Sequence, residues 1–296
     1  IIINVQRGGP STGLPTKPEQ ADLLFAIFGR HGEAPMPVLA AKSPSDAFDI
    51  TIEAARIALK YMTPVIVLSV NSIATGSEPW NLPDVSKLPD ISKPYQRGPN
   101  SGDEFLPYLR DPQTFARSWA IPGTPGLEHR IGGLEKQEVT GNVSYDPDNH
   151  QLMVDTRAWK IANIANDVPP VEVDGDPEAK LLVLGWGSTY GVIKEAVALL
   201  NEQGISANHL PVKWIVPFHA EAVADVMNNA KRTIIVENNH SGQFARYLRS
   251  ETGLSADGHI RKYDGEPFMP HHIVDGVKEQ LAQRTDHYVP VQEFIV

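Results

Sequence analysis

Lys180-Leu181-Leu182-Val183-Leu184-Gly185-Trp186-Gly187-Ser188-Thr189-Tyr190-Gly191 decides the architecture. A short apolar run stops at two glycines, and helix-forming sequence follows over 190–202. Downstream the same alternation continues as strand 207–212, helix 219–228, strand 233–237 and helix 241–252. Strands separated by helices pair through crossovers rather than hairpins, so this half is predicted to be a parallel, doubly wound α/β sheet. The acidic, proline-containing stretch just upstream predicts a linker over 169–178, with this domain at 179–296.

Further upstream, from 78 to about 141, prolines recur too densely for long helices or interior strands. Trp80, Tyr95, Tyr108 and Trp119 are unusual in a free linker, which favours an ordered excursion wrapping another surface over a partly mobile segment. A helix over 148–166 follows, with Leu152, Ala158, Ile161 and Ile164 on its expected face. Together these form a segment at 78–168.

The first unit, 1–77, reads as strand 1–5, loop 6–17 and helix 18–28, with Pro18 in the first turn and Gly29 at the C-terminal cap. A second helix is expected over 45–61. Ser43 and Asp46 have capping-box spacing, and Phe48, Ile52, Ala55 and Leu59 recur at helical period. Strand 63–70 is apolar enough to be covered on both faces. Ile1-Ile2-Ile3-Asn4-Val5 has no basic leader, and is expected to be a buried strand in mid-domain whose sheet partners lie upstream.

The 296 residues leave room for two cores, since single cores stop growing near roughly 250 to 300 residues. A composition of 41% hydrophobic and 21% charged residues suits a folded chain. With 26 Lys+Arg against 36 Asp+Glu the formal charge is −10, which opposes general nucleic-acid binding. No apolar run approaches the ~20 residues of a membrane span, so a soluble, cytoplasmic protein is expected. The absence of cysteine excludes disulfides, thiolate metal sites and Cys-ligated iron–sulfur clusters in this chain, so any redox centre belongs to a partner.

Chemistry concentrates in Gln6-Arg7-Gly8-Gly9-Pro10-Ser11-Thr12-Gly13. The run leaves the carboxyl end of a predicted parallel strand, where α/β sheets gather ligands. Glycines admit close backbone approach, Ser11 and Thr12 can donate to an anion, and Arg7 can clamp a carboxylate bidentately. The same residues also suit a tight strand-to-helix turn with Arg7 in a salt bridge.

Val5-Gln6-Arg7-Gly8-Gly9-Pro10-Ser11-Thr12-Gly13-Leu14-Pro15-Thr16-Lys17 is followed by Glu19-Gln20-Ala21-Asp22-Leu23 and Gly29-Arg30-His31-Gly32-Glu33-Ala34-Pro35. With Gly76-Ser77-Glu78-Pro79-Trp80, Trp119-Ala120-Ile121-Pro122-Gly123-Thr124-Pro125-Gly126-Leu127-Glu128-His129-Arg130, Gly141-Asn142-Val143-Ser144-Tyr145 and Glu237-Asn238-Asn239-His240-Ser241-Gly242-Gln243, these strings resemble the α subunit of the 2-oxoacid:ferredoxin oxidoreductases, nearest the 2-oxoglutarate type. The resemblance implies the latter part of a pyrimidine-type thiamine-diphosphate domain and a transketolase C-terminal-like domain. It also implies a thiamine-diphosphate enzyme that decarboxylates a 2-oxoacid, passes electrons to ferredoxin and transfers the acyl group to coenzyme A. The diphosphate, its Mg2+ and the iron–sulfur cluster would lie with a β subunit. An upstream Tyr-Pro-Ile-Thr-Pro loop and a cofactor-binding Glu of the family have no match here, so an N-terminal portion or a γ-type chain is expected to supply them.

On that resemblance Arg7 matches the arginine that contacts the 2-oxoacid, with Ser11 and Thr12 beside it. No catalytic residue is assigned to this chain. Arg30 and His31 read either as a solvated helix end or as cations for the second carboxylate of a dicarboxylic substrate, and Lys17 is a further candidate. Pyruvate or a branched-chain 2-oxoacid is the rival substrate, and a non-catalytic assembly module the rival function. The turn from Gly185 to Gly191 superficially suggests a nucleotide-binding motif but misses the dinucleotide spacing by one residue, and reads as structural. His240 is read as a turn residue, His271-His272 lack a third metal ligand, and no Gly-x-Ser-x-Gly elbow occurs.

Overall fold

The structure is a computed structural model that describes residues 1–290, so the last six positions of the 179–296 unit lie outside the described residues. In chain order its elements are β1 (Ile2–Gln6), α1 (Leu23–Phe28), β2 (Val38–Ala40), α2 (Asp46–Tyr61), β3 (Ile66–Val70), α3 (Asn71–Ala74), α4 (Pro147–Asn163), β4 (Leu181–Trp186), α5 (Tyr190–Glu202), β5 (Ala207–Val212), β6 (Trp214–Val216), α6 (Ala220–Asn229), β7 (Arg232–Glu237), α7 (Gln243–Thr252), β8 (Gly258–Arg261), α8 (Pro270–Leu281) and β9 (His287–Tyr288).

The later strands form one sheet in the order β5-β4-β7-β8-β9, all parallel. Its centre is apolar throughout because alternate side chains serve different layers. Leu181 and Val183 pack with Ile193, Leu200 and Val277 of α5 and α8. Leu182, Leu184 and Trp186 face Val223, Phe244 and Leu248 of α6 and α7. Helices therefore cover both faces, as the alternation predicts.

The earlier strands form a second sheet, β1-β3-β2-β6, in which the first three are parallel and β6 runs antiparallel to β2. Val38, Ala40, Ile66 and Leu68 join the core shared with the other sheet. Leu39, Val65 and Val67 face Ile50, Ile57, Ile161 and Ile164 on the other side. β6 belongs by sequence to the later half, yet Trp214 pairs with Leu39 and is buried among the α2 and α4 residues. Lys213 reinforces the crossing with an ion pair to the buried Asp46 at 2.7 Å.

Several expectations require correction. Helix 18–28 shrinks to α1, because the backbone N–H of Gln20 donates to Asn238 C=O rather than into a helical turn. Among the described residues β1 lies at the edge of its sheet beside β3, and Ile2, Ile3 and Val5 are exposed rather than buried. The core face of α2 is Ile50, Ala54, Ile57 and Tyr61 rather than Phe48, Ile52, Ala55 and Leu59. The latter face is half-buried under the proline-rich segment: Trp80 packs on Phe48 with ring centroids 5.2 Å apart, and Trp119 Nε1 donates to Leu59 C=O. In α4 the buried positions include Met153, Thr156 and Ile161, whereas Leu152 and Ala158 turn outward.

Candidate functional site

β1 and β3 run parallel in register from Ile2↔Ile66 to Gln6↔Val70, so Arg7 and Asn71 emerge at the same carboxyl edge. The buried Gln6 side chain anchors the loop base, donating to Ser69 C=O at 3.2 Å and accepting from Asp22 N–H at 3.0 Å. The loop then folds on itself: Leu14 N–H donates to Gly8 C=O, Gly8 N–H to Lys17 C=O, and Asn71 Nδ2 to Thr16 C=O. Gly13 makes this closure possible. Its φ is +53°, and a Cβ there would lie 1.9 Å from Gly8 O. With its base clamped, the loop projects Arg7, Ser11 and Thr12 into solvent.

No hydrogen bond or ion pair joins Arg7 to any other described residue, which removes the salt-bridge reading of this residue. An exposed guanidinium on a braced loop retains all of its donors for an incoming carboxylate. Behind it, the half-buried Glu19 carboxylate lies against Gly8, its pKa raised by burial and by Asp22.

The remaining predicted cations are not equivalent. Lys17 sits at the loop base, ion-paired with Glu266 beyond β8. Arg30 donates to the carbonyls of Ala26, Ile27 and Ala34 at 2.5–2.7 Å, and so closes the C-terminal end of α1. Arg30 and His31 follow the C-terminal end of α1, and among the described residues no hydrogen bond or ion pair joins either side chain to loop residues 6–17. Arg7, Ser11 and Thr12 share one loop with Lys17 at its base.

The carboxyl edge of the other sheet faces this loop. β4 and β7 are neighbours there and their connections leave to opposite sides, the position where open α/β sheets bind ligands. In this chain Gln20 occupies that crevice. Its Nε2 donates to Trp186 C=O at 2.7 Å, its Oε1 accepts from Asn238 N–H at 3.0 Å, and its own C=O accepts from Asn239 Nδ2 at 3.0 Å. Only a cavity of about 60 Å³ remains, lined in part by Pro18, Ser72, Ser188 and Asn238. The turn from Gly185 to Gly191 is tightly packed at its start. A Cβ on Gly185 would meet Ile193 Cδ1 at 2.1 Å, and Thr189 Oγ1 ties back to Trp186 C=O.

The buried Glu237 carboxylate accepts from Phe244 and Ala245 N–H groups and from Asn239 Nδ2, satisfying the first turn of α7. Gln243 links that turn to α1 by donating to Ala21 C=O and accepting from Leu24 N–H. His240 is exposed and rests edge-on against Tyr263. Gln20, Gln243 and Asn239 escaped sequence reading, because an amide has no periodic or spacing signature.

Two family models match the chain: that for pyruvate flavodoxin/ferredoxin oxidoreductase, thiamine-diphosphate-binding, over residues 1–145, and that for pyruvate:ferredoxin oxidoreductase core domain II over 179–273. The chain is 47% identical over 286 residues to 2-oxoglutarate oxidoreductase subunit KorA of Mycobacterium tuberculosis, covering 96% of this chain and 42% of that protein. It is 32% identical to the α subunit of 2-oxoacid:ferredoxin oxidoreductase 1 of Aeropyrum pernix, covering 98% and 45% respectively. Among solved structures, 2-oxoglutarate:ferredoxin oxidoreductase from Magnetococcus marinus with 2-oxoglutarate, coenzyme A and succinyl-CoA bound superposes with a TM-score of 0.84 at 33% identity, over 94% of this chain and 48% of that one. The chain therefore spans less than half the length of these relatives.

Proposed function

The chain belongs to the 2-oxoacid:ferredoxin oxidoreductase family as an α-subunit chain, and from that premise we propose that it contributes the substrate-carboxylate site of a 2-oxoacid-oxidising enzyme. The reaction is oxidative decarboxylation of 2-oxoglutarate to succinyl-CoA and CO2, with electrons passing to ferredoxin. One observation carries this reading: Arg7 stands exposed and unpaired on a braced loop at the carboxyl edge of a parallel sheet. The names of the M. tuberculosis and M. marinus proteins favour 2-oxoglutarate over pyruvate or a branched-chain 2-oxoacid.

Thiamine diphosphate would supply the carbanion that attacks the keto carbon. The edge suits an anionic ligand of that site, because Arg7 is unpaired and the loop tip is open. Arg7 orients the departing carboxylate, and Ser11 and Thr12 donate to it, without the tight grip that would favour the ground state. Lys17, once released from Glu266, is the candidate cation for the distal carboxylate. Arg30 serves α1 instead. The Mg2+ and the iron–sulfur cluster are assigned to a β subunit, and the enzyme to the cytoplasm; no helix among the described residues is long and apolar enough to cross a membrane. The units are taken as 1–77, 78–168 and 179–296, with 169–178 as linker.

Arg7→Ala in the assembled enzyme tests this reading. Loss of a charged hydrogen-bonding partner is worth about 1.5–3 kcal/mol, so kcat/KM for 2-oxoglutarate should fall about tenfold to a hundredfold while the complex still assembles. Unchanged kinetics would leave an assembly role only. A wild-type enzyme that turns over pyruvate faster than 2-oxoglutarate would overturn the substrate assignment alone.

A further inference from the structure

At the opposite edge of the first sheet from Arg7, where α2 ends and β3 begins, the proline-rich segment encloses a pocket of about 470 Å³. Its lining includes Lys60, Lys93, Tyr95, Arg110, Arg117 and Trp119. Arg110 and Arg117 are partners in an antiparallel bridge, and their guanidinium carbons lie 5.7 and 4.5 Å from the centroid of the same Tyr108 ring. Like charges held opposite one another are destabilising unless an anion balances them.

The neighbouring carboxylates do not supply that balance. Asp167 pairs with Arg56 and Lys60 at 2.8 Å, and Asp111 accepts the N–H groups of Gln113 and Thr114 to shape its own turn, with Lys93 the cation nearest in effect. Glu138 reaches only Arg110, at 3.4 Å. Arg117 makes a single long hydrogen bond, to Pro107 C=O at 3.4 Å. Lys93, also in the lining, has no hydrogen bond or ion pair to a described residue.

We propose that this pocket binds a phosphate-bearing small molecule, with Arg117 and Lys93, both in its lining, as its charged grip. A phosphate offers more oxygens and more charge than a carboxylate, and a guanidinium can meet it with two parallel hydrogen bonds. Tyr95 and Trp119 provide flat faces for the organic part, and the volume falls in the range of small-molecule sites. In a chain of net charge −10, such a concave positive region is where a multivalent anion would concentrate.

The test is titration of the chain with inorganic pyrophosphate and with ADP, read by calorimetry and thermal unfolding, against sodium chloride and succinate at equal ionic strength. Saturable one-site binding of pyrophosphate is expected, at least tenfold tighter than succinate and at least tenfold weaker in both Arg117→Gln and Lys93→Met. Lys93→Met removes a side chain that makes no hydrogen bond or ion pair to a described residue, so it should fold even if Arg117→Gln does not, and should lose the pyrophosphate-induced rise in Tm. No saturable binding to the wild-type chain overturns the proposal, as does equal binding of succinate or full retention of binding in folded Lys93→Met.

Discussion

Gln20 shows how one uncharged side chain can join two sheets. Its amide reaches Trp186 C=O and Asn238 N–H, both at strand ends of the later sheet, and all of these residues are buried. Gln20→Ala should therefore strand a buried carbonyl and a buried N–H. At about 1–3 kcal/mol for each unsatisfied group, we expect a loss of about 2–6 kcal/mol in denaturant unfolding. A change under 0.5 kcal/mol would mean that the crevice refills with water and that Gln20 is not the joint. Arg7 differs in that glycines, a proline and hydroxyls around an arginine after an apolar strand already make it a candidate, beside the alternative of a salt-bridged turn, and the structure shows no such ion pair among the described residues. Arg30 was not legible in the same way: a guanidinium that caps carbonyls and one that waits for substrate have the same letter, and only the bonds to Ala26, Ile27 and Ala34 separate them.

Among the elements, those with a clear period or a sharp stop were read well. α5 and β5 span the residues that the sequence indicated, because Gly187 and Gly204 bound the helix and apolar runs fill the strands. The tight junction of β4 with α5 follows from Gly185, whose position leaves no room for a methyl beside Ile193 and Thr189. Gly185→Ala should cost about 1–3 kcal/mol by overpacking, measurable as a lower unfolding midpoint, and Gly185→Ala with Ile193→Val should recover part of it. A fully stable single variant would show that the junction relaxes freely. α1 and β6 were misread or missed for a common reason. Each is short, and each is defined by a partner in the other sheet: Gln20 N–H goes to Asn238, and Trp214 aligns with Leu39.

Across the whole molecule, burial of polar groups makes stability depend on pH. His209 is buried with neither ring nitrogen hydrogen-bonded, and desolvation lowers its pKa from 6.5 to about 4 against the weaker pull of Asp174. His259 is held near 4 as well, by burial and by Arg261 and His287. The folded state resists protons that the unfolded chain accepts near pH 6.5, so this stabilisation is complete above that pH and is lost as pH falls towards 4. Unfolding free energy should drop by about 2 kcal/mol between pH 7 and pH 5 from His209 alone, and His209→Phe should flatten the slope. An equal slope in wild type and variant would show that His209 is not the source. The sequence by itself determined the α/β class, the parallel later sheet and the candidate anion loop, because apolar periodicity, glycine and proline act on near neighbours. Only the tertiary structure decided which crevice stays open, which arginine stays free and where β6 pairs. Those outcomes depend on residues far apart in the chain, as with Gln20 and its partners 166 and 218 positions away, and on the desolvation that makes such distant polar contacts obligatory.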